Sequence, residues 1–435
     1  MQGKSISQEQ NPQVFSVFLR IRGSVPSVSI PARMWYNEAA VSAAERMCTA
    51  LKIGQFTDSF FPIVDGVGRV VYNYATTLCE KDQECYVISP MADIGYLGGF
   101  PFELLEFVSV SVPTQEQYHS GIPLLDVHYN RRMQKIQLDI IHAHSPFIAG
   151  QEAVRLANER KIPLVGTFHS KYYDDFYKLT KTKMLADIGV KMVVNFYERC
   201  DEVWAVSSNS ADVLRDYGFK GDIVVMPNGT PDVKPSDENM RAAKERFGLD
   251  GRPVLMYCGQ MNWKKNIRRT LEAAALLVKE GYDFQLVMVG QGPDREEIAD
   301  TCTELGIADR TVFTGHLQQD TLINGLYQAA SLFVFPSLYD TSGMVIREAA
   351  AMETASIVVR GSAPAESIIE GKNGLLCDDT TESLAAGIRM VLDNPYYGLL
   401  LGKAASRTIF LPWTVVLDKV LERYEHLIET NPRRV

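Results

Sequence analysis

Two carboxylates, Asp340 and Glu348, bracket a turn that enters a helix. The segment Ser337–Ala349 follows an apolar run, Leu332–Phe335, that reads as a strand, and then opens a helical stretch. Asp340 falls in the loop, and Glu348 lies about two turns into the helix. Gly343 lets the backbone amides of Ser342, Gly343, Met344 and Val345 approach an anion at the helix N-terminus, where the dipole favours phosphate. A carboxylate at Glu348 can then accept from two ribose hydroxyls. Taken alone, an acidic pair at this spacing is usually a solvated helix face. Its neighbours change that reading.

In Tyr257–Asn266 a strand ends at Gly259 and leads to Lys265 just before a helix, which supplies a point charge suited to a diphosphate. The next strand ends in Val289-Gly290-Gln291-Gly292-Pro293, with the proline set to start a helix. Nearer the N-terminus, Pro62–Arg69 joins the strand Leu51–Phe56 to an amphipathic helix carrying Val70, Tyr74 and Leu78. Gly66 and Gly68 there would let backbone reach across a cleft toward a phosphate or sugar. Neither glycine pair has the third glycine of GxGxxG, which disfavours a dinucleotide.

His142, His144 and His169 belong to the ends of two runs, Asp139–Ala143 and Pro163–Phe168, so His144 and His169 point toward one sheet edge. A lone histidine at a strand end is more often a hydrogen-bonded structural residue; two on one rim favour a polar site. Zinc would need a third ligand at suitable spacing, and none stands out. The 7 cysteines are scattered without a CxxC pair, and most lie in apolar runs where a thiol acts as a small hydrophobe.

The elements that must hold these residues form two series. Short apolar runs alternate with helical stretches at Leu51–Phe56, Cys85–Ser89, Leu105–Val110, Asp139–Ala143, Pro163–Phe168, Glu202–Val206 and Ile223–Met226. A second series follows at Pro253–Cys258, Phe284–Val289, Thr311–Thr314, Leu332–Phe335, Ser356–Val359 and Gly374–Cys377. Continuous apolar strands spaced by helices imply doubly wound parallel sheets covered on both faces, an α/β architecture. Residues 227–236 are rich in turn formers and read as a linker. That divides the chain into domains over 51–226 and 237–405, whose strand C-termini would face one shared cleft. Residues 406–435 hold a helix with apolar Val416, Val420, Tyr424 and Leu427, expected to return toward the first domain.

With 435 residues, 46% of them hydrophobic, the chain is long enough for two cores. A net charge of −9 without a long Lys/Arg block gives no sign of nucleic-acid binding. No stretch approaches the roughly 18–20 apolar residues of a membrane span, so the expected location is cytoplasmic. Residues 1–50 read as a leader, disordered or a start-site artefact, with Met47 an alternative start.

In order and spacing these residues resemble glycosyltransferase family 4, the "group 1" transferases of the GT-B type, over about residues 51–430. The E-x7-E signature looks like Asp340 through Glu348, the G-R-x5-K donor loop like Gly259 to Lys265, the glycine-rich first loop like Gly66-Val67-Gly68, and T-F-H-[ST] like Thr167–Ser170. The resemblance implies two Rossmann-like domains closing on a nucleotide-diphosphate sugar, by default a UDP-hexose, with retaining, metal-independent transfer and no cofactor. It implies that Glu348 holds the ribose, Lys265 the diphosphate, Asp340 the donor sugar, and His169 the sugar side of the cleft. The first domain would then take the acceptor and the second the nucleotide sugar.

Three positions depart from the pattern: Gln260 stands for the usual arginine, Asp340 for the first glutamate and Asp65 for a glycine. They leave open a nucleotide-sugar-binding accessory protein without turnover. An epimerase acting on the nucleotide sugar is a further rival, though its carboxylate and histidine arrangement is not recognisable. Within the family, Ala143–Phe147 with Thr167–Ser170 looks most like bacterial enzymes that glycosylate diacylglycerol lipids. His144, Lys171 and Tyr172 are the expected acceptor-side residues. The stretch 171–199 carries Lys171, Lys178, Lys181, Lys183, Lys191 and Arg199, suited to an anionic leaflet, against Asp174, Asp175, Asp187 and Glu198. An ordinary solvated helix or a soluble acceptor remains the alternative.

Overall fold

The computed structural model describes residues 50–61, 65–91, 98–112 and 115–433. The leader reading of residues 1–50, with Met47 as alternative start, falls outside them except for Ala50, as do Pro62, Ile63 and Val64 of the first loop. The chain begins with β1 (Lys52–Phe56), α1 (Gly66–Glu80), β2 (Glu84–Pro90), β3 (Glu103–Phe107) and a hairpin of β4 (Ser109–Val112) and β5 (Gln115–Gly121). It continues through α2 (Val127–Met133), β6 (Ile140–Ala143), α3 (Ile148–Arg160), β7 (Leu164–Phe168), α4 (Tyr172–Thr180) and α5 (Lys183–Tyr197). The first half ends with β8 (Glu202–Ala205), α6 (Ser208–Asp216) and β9 (Ile223–Val225).

The second half opens with α7 (Asp237–Phe247), β10 (Val254–Cys258), α8 (Ile267–Lys279), β11 (Gln285–Val289), α9 (Arg295–Glu304) and β12 (Thr311–Gly315). It proceeds through α10 (Asp320–Ala329), β13 (Leu332–Phe335), α11 (Met344–Ala351), β14 (Ser356–Val359) and β15 (Leu375–Cys377). Three helices close the chain: α12 (Thr381–Asp393), α13 (Pro395–Thr408) and α14 (Trp413–Thr430).

Two parallel sheets result, ordered β3-β2-β1-β6-β7-β8-β9 and β12-β11-β10-β13-β14-β15. The apolar runs of β7, β10, β11, β13 and β14 are buried along their whole lengths, as strands covered on both faces must be. In each sheet the chain order reverses once, between β1 and β6 and between β10 and β13, and ligands of such sheets bind beyond the strand C-termini at that reversal. His144 follows β6, Lys265 follows β10 and Asp340 follows β13.

One run behaves differently from its sequence reading. The expected strand Leu105–Val110 ends at Phe107, and Ser109 starts the antiparallel hairpin with β5. Val108 is 61% exposed, and its N–H donates to Asp126 at 2.8 Å. The alternation Val108-Ser109-Val110-Ser111-Val112 is that of a half-exposed strand, which a sheet buried on both faces cannot absorb.

Helix α14 packs on the first sheet. Trp413, Val416, Leu417, Val420, Tyr424 and Leu427 join Ile53, Tyr74, Val165 and Trp204 in one buried cluster. The connector is stitched to the approach of this helix: Thr230 N–H donates to Leu411 O at 2.9 Å, and Trp413 N–H to Thr230 O at 3.0 Å.

Candidate active site

On the second half, the loop after β10 is held by the loop after β11. Met261 N–H donates to Gln291 O at 3.0 Å, and Asp294 accepts from Trp263 N–H at 2.8 Å. The approach is so close that a Cβ on Gly290, whose φ is +130°, would lie 2.0 Å from Gly259 O. Lys265 closes the 3₁₀ turn Trp263–Lys265, and its Nζ lies 2.9 Å from Asp340 Oδ2. The other Asp340 oxygen accepts from Gly343 N–H at 2.9 Å and Ser342 N–H at 3.3 Å. Burial pushes this carboxyl up, but Lys265 and the two amides outweigh it and hold it below the usual range.

Asp340 therefore takes two of the four amides expected to be open to a phosphate. Met344 and Val345, the first residues of α11, keep N–H groups without a partner among the described residues. Gly343 reaches this turn with φ +59°, and a Cβ there would meet Pro364 at 3.0 Å. One turn further on, Glu348 accepts from Tyr327 OH at 3.0 Å and from Arg69 of α1 at 3.4 Å. The Glu348 carboxylate in turn holds the Arg69 guanidinium above its ordinary range.

The glycine-rich first loop is differently employed than its sequence suggests. Gly66 and Gly68 lie in the first turn of α1, whose N-cap is Asp65. The Gly68 N–H is spent on Asp65 Oδ1 at 2.7 Å, and Ser59 OH donates to Asp65 Oδ2 at 2.6 Å. A carboxylate of the chain thus occupies a helix N-terminus that an unsubstituted glycine would leave to a ligand.

His169 lies at the end of β7, buried, with Nε2 3.0 Å from His144 Nδ1. Burial pushes its imidazole down to about 3, and both His142 and His144 are likewise held well below their ordinary range, so none carries charge at neutral pH. Across the cleft, Thr341 OH donates to His169 O at 2.7 Å. Lys171 Nζ donates to Leu338 O at 3.3 Å, Tyr339 OH to Asp175 at 3.1 Å, and Lys264 pairs with Asp175 at 3.0 Å. Ser342 accepts from Asn228 at 3.0 Å, and Glu366 accepts from Ser208 and Asn209 N–H at the start of α6. These bonds bring the Asp340 loop directly against His169.

Two of the expected acceptor-side residues are buried. Tyr172 is buried, with its ring against Phe147, Phe168 and Phe176, because the apolar face of α4 turns inward there. His144 stands behind His169 with both ring nitrogens engaged, its Nε2 2.6 Å from Gln55 Oε1. Lys171 is less buried and reaches Leu338 O. Sequence reasoning missed Arg69, Tyr327, Thr341 and Gln55. Arg69 had a legible signal, a cation directly after the glycine loop; the others touch the site only through distant partners.

Residues 239–408 match the family described as Glycosyl transferases group 1, and residues 64–232 match Glycosyltransferase Family 4. Between them the two matches take in both sheets apart from β1. The chain belongs to the group 1 glycosyltransferases. This glycosyltransferase is 28% identical over 336 residues to the alpha-monoglucosyldiacylglycerol synthase of Streptococcus pneumoniae, covering 74% of each chain. It is 27% identical over 395 residues to a GDP-mannose-dependent alpha-mannosyltransferase of Corynebacterium glutamicum, covering 88% of this chain and 91% of the relative. Its fold is that of Anabaena Alr3699/HepE crystallised with UDP, with a TM-score of 0.69 and 17% identity over 87% of this chain and all of that one. The GT-B architecture expected for the glycosyltransferase is thereby present.

Proposed function

We propose that the protein transfers a hexose, with retention, from a nucleoside-diphosphate sugar to a diacylglycerol-type lipid at the cytoplasmic membrane face. The observation that carries this reading is the convergence of Lys265, Asp340, the free α11 amides, Glu348 and His169 at the reversal points of two facing sheets. These groups satisfy one another, as Lys265 with Asp340 and Arg69 with Glu348. A bound donor would exchange those pairs for its own groups, with the diphosphate taking Lys265 and the Met344 and Val345 amides. Glu348 would accept from the ribose, and Asp340 from sugar hydroxyls. Freed of Lys265, Asp340 becomes an available acceptor only once the phosphates have claimed the cation.

His169 bonds to His144 rather than to a hydroxyl or carboxylate, so it is not paired with a nucleophile that it could activate. The fitting path is front-face transfer, in which the leaving diphosphate helps deprotonate the acceptor. Among the described residues no group of three or more His, Cys, Asp or Glu is arranged to hold a metal ion. Transfer is therefore expected to persist in EDTA. UDP-glucose is the default donor, although a relative named for GDP-mannose keeps the base open.

The lipid acceptor draws on two relatives named alpha-monoglucosyldiacylglycerol synthase and on the face of α4 and α5. Met184, Leu185, Ile188 and Met192 are exposed along one side of α5, beside exposed Lys178, Lys181, Lys183 and Lys191. Among the described residues no helix is long and apolar enough to cross a membrane, so contact would be peripheral. The test is thermal shift with UDP-, GDP- and ADP-sugars, followed by transfer to diacylglycerol in mixed micelles with and without EDTA. A ligand at about 100 times its Kd adds roughly 2.7 kcal/mol of stability. No shift with any nucleotide sugar would remove the donor site; transfer only to soluble acceptors would remove the lipid.

A further inference from the structure

Behind His169 a run of buried hydrogen bonds crosses the first sheet, takes in the C-terminal helix and returns to β7. Beyond His144 it reaches Gln55, whose Nε2 donates to Tyr424 OH at 3.4 Å. The Tyr424 hydroxyl lies 2.5 Å from His142 Nδ1, and His142 Nε2 lies 2.6 Å from Thr167 Oγ1. Gln55 and His142 are register partners of β1 and β6 at the reversal of the sheet, and every member of the run is buried.

Proton counting gives the run a direction. An amide oxygen only accepts, so the proton between Gln55 Oε1 and His144 Nε2 belongs to His144. Neutral imidazole carries one N–H, so His144 Nδ1 is an acceptor, and the proton between the two histidines sits on His169 Nε2. His169 Nδ1 is then a bare lone pair, and it has no protein partner among the described residues. In the other direction the Gln55 amide donates to Tyr424, Tyr424 to His142 Nδ1, and His142 Nε2–H to Thr167. Hydroxyls and neutral imidazoles can serve in either sense, but the Gln55 amide has two unlike ends. Turned over, it would reverse every bond and put the proton on His169 Nδ1.

We propose that Gln55, held by Tyr424 of the C-terminal helix, is a positioning residue that fixes His169 as its Nε2–H tautomer, leaving Nδ1 to meet the donor sugar only as an acceptor. The sugar-facing role rests on the transferase reading above; the tautomer does not. Under this assignment the site takes a sugar that offers a hydroxyl proton at that position, and a sugar with the hydroxyl replaced by fluorine would lose the bond.

The test needs no donor. Long-range proton–nitrogen correlation spectra of donor-free protein with nitrogen-15 histidine, with His169 assigned through H169Q, report which ring nitrogen is protonated. In the wild type, His169 Nε2 is expected in the protonated range and Nδ1 in the unprotonated range. In Gln55→Leu the His169 Nδ1 resonance should shift toward the protonated range as the second tautomer becomes populated. Tyr424→Phe removes one hydroxyl, lets the amide turn over and should shift the same resonance, which keeps the test open if the leucine variant fails to fold. A wild-type His169 protonated at Nδ1, or a tautomer unchanged in every variant that folds, overturns the proposal. Neither result touches the transferase reading, which stands or falls on donor binding.

Discussion

Lys265 and Glu348 are each less than one-fifth exposed, and each is paired with one charged partner. A charge-assisted bond of this kind contributes about 1.5–3 kcal/mol, which corresponds to about 10- to 150-fold in affinity. Lys265→Ala and Glu348→Ala should each weaken nucleoside-diphosphate binding by that much in calorimetry. Unchanged affinity in folded protein would take both out of the donor site. His169 makes a second case at this scale. Its folded pKa of about 3 lies below the ordinary 6.5, so between those values the unfolded chain binds more protons. Stability from burying it neutral is complete above about pH 6.5 and is lost as pH falls toward 3, and His142 and His144 act in the same sense. The melting temperature should fall through that window, and more shallowly in His169→Gln. A parallel slope in the variant would contradict the assignment.

At the scale of elements, α5 joins an exposed apolar stripe to flanking lysines, while Asp175 on α4 is occupied by Lys264 and Tyr339 across the cleft. One of the acids that seemed to cancel the basic stretch is thus spent elsewhere. Cations near an anionic leaflet contribute about 1 kcal/mol each and are screened within a Debye length of about 10 Å at 0.1 M salt. The protein should bind liposomes containing anionic lipid at low salt and neutral ones little. Changing Lys178, Lys181 and Lys183 together to Ser should reduce that binding, as read by co-sedimentation. Indifference to lipid charge would dissociate this face from any membrane. The helices and strands themselves were legible because each carries a local period. The hairpin β4–β5 was not, since its alternating Val and Ser looked like a continuation of the preceding strand until an exposed Val108 broke the run.

For the whole molecule, the last helix belongs to the first sheet. Leu417 is fully buried there among residues that precede it by more than two hundred positions. Leu417→Ala leaves a cavity and should cost about 2–5 kcal/mol, visible as a lower denaturant midpoint. Near-wild-type stability would show that the helix docks without supporting that core. Its Tyr424 is also a member of the hydrogen-bond run from His169, so the helix is joined to the cleft as well as to the core.

The amino-acid order by itself determined the two series of buried strands, the placing of His169, Lys265 and Asp340 beyond strand ends, and that of Glu348 in the helix that follows. Those features follow from hydrophobic period and turn chemistry within a few residues of each position. Only the tertiary structure decided what each of these groups touches. Asp65 and Asp340 close on helix N-termini that glycines seemed to leave open, Tyr172 turns into the core, and His144 stands behind His169. Gln55, which carries no local signal, and Tyr424, legible only as part of a helix's apolar face, meet across 369 positions of the chain. A hydrogen bond or an ion pair is fixed by where two distant elements come to rest, and that depends on the packing of the sheets and the closing of the cleft rather than on any short stretch of sequence.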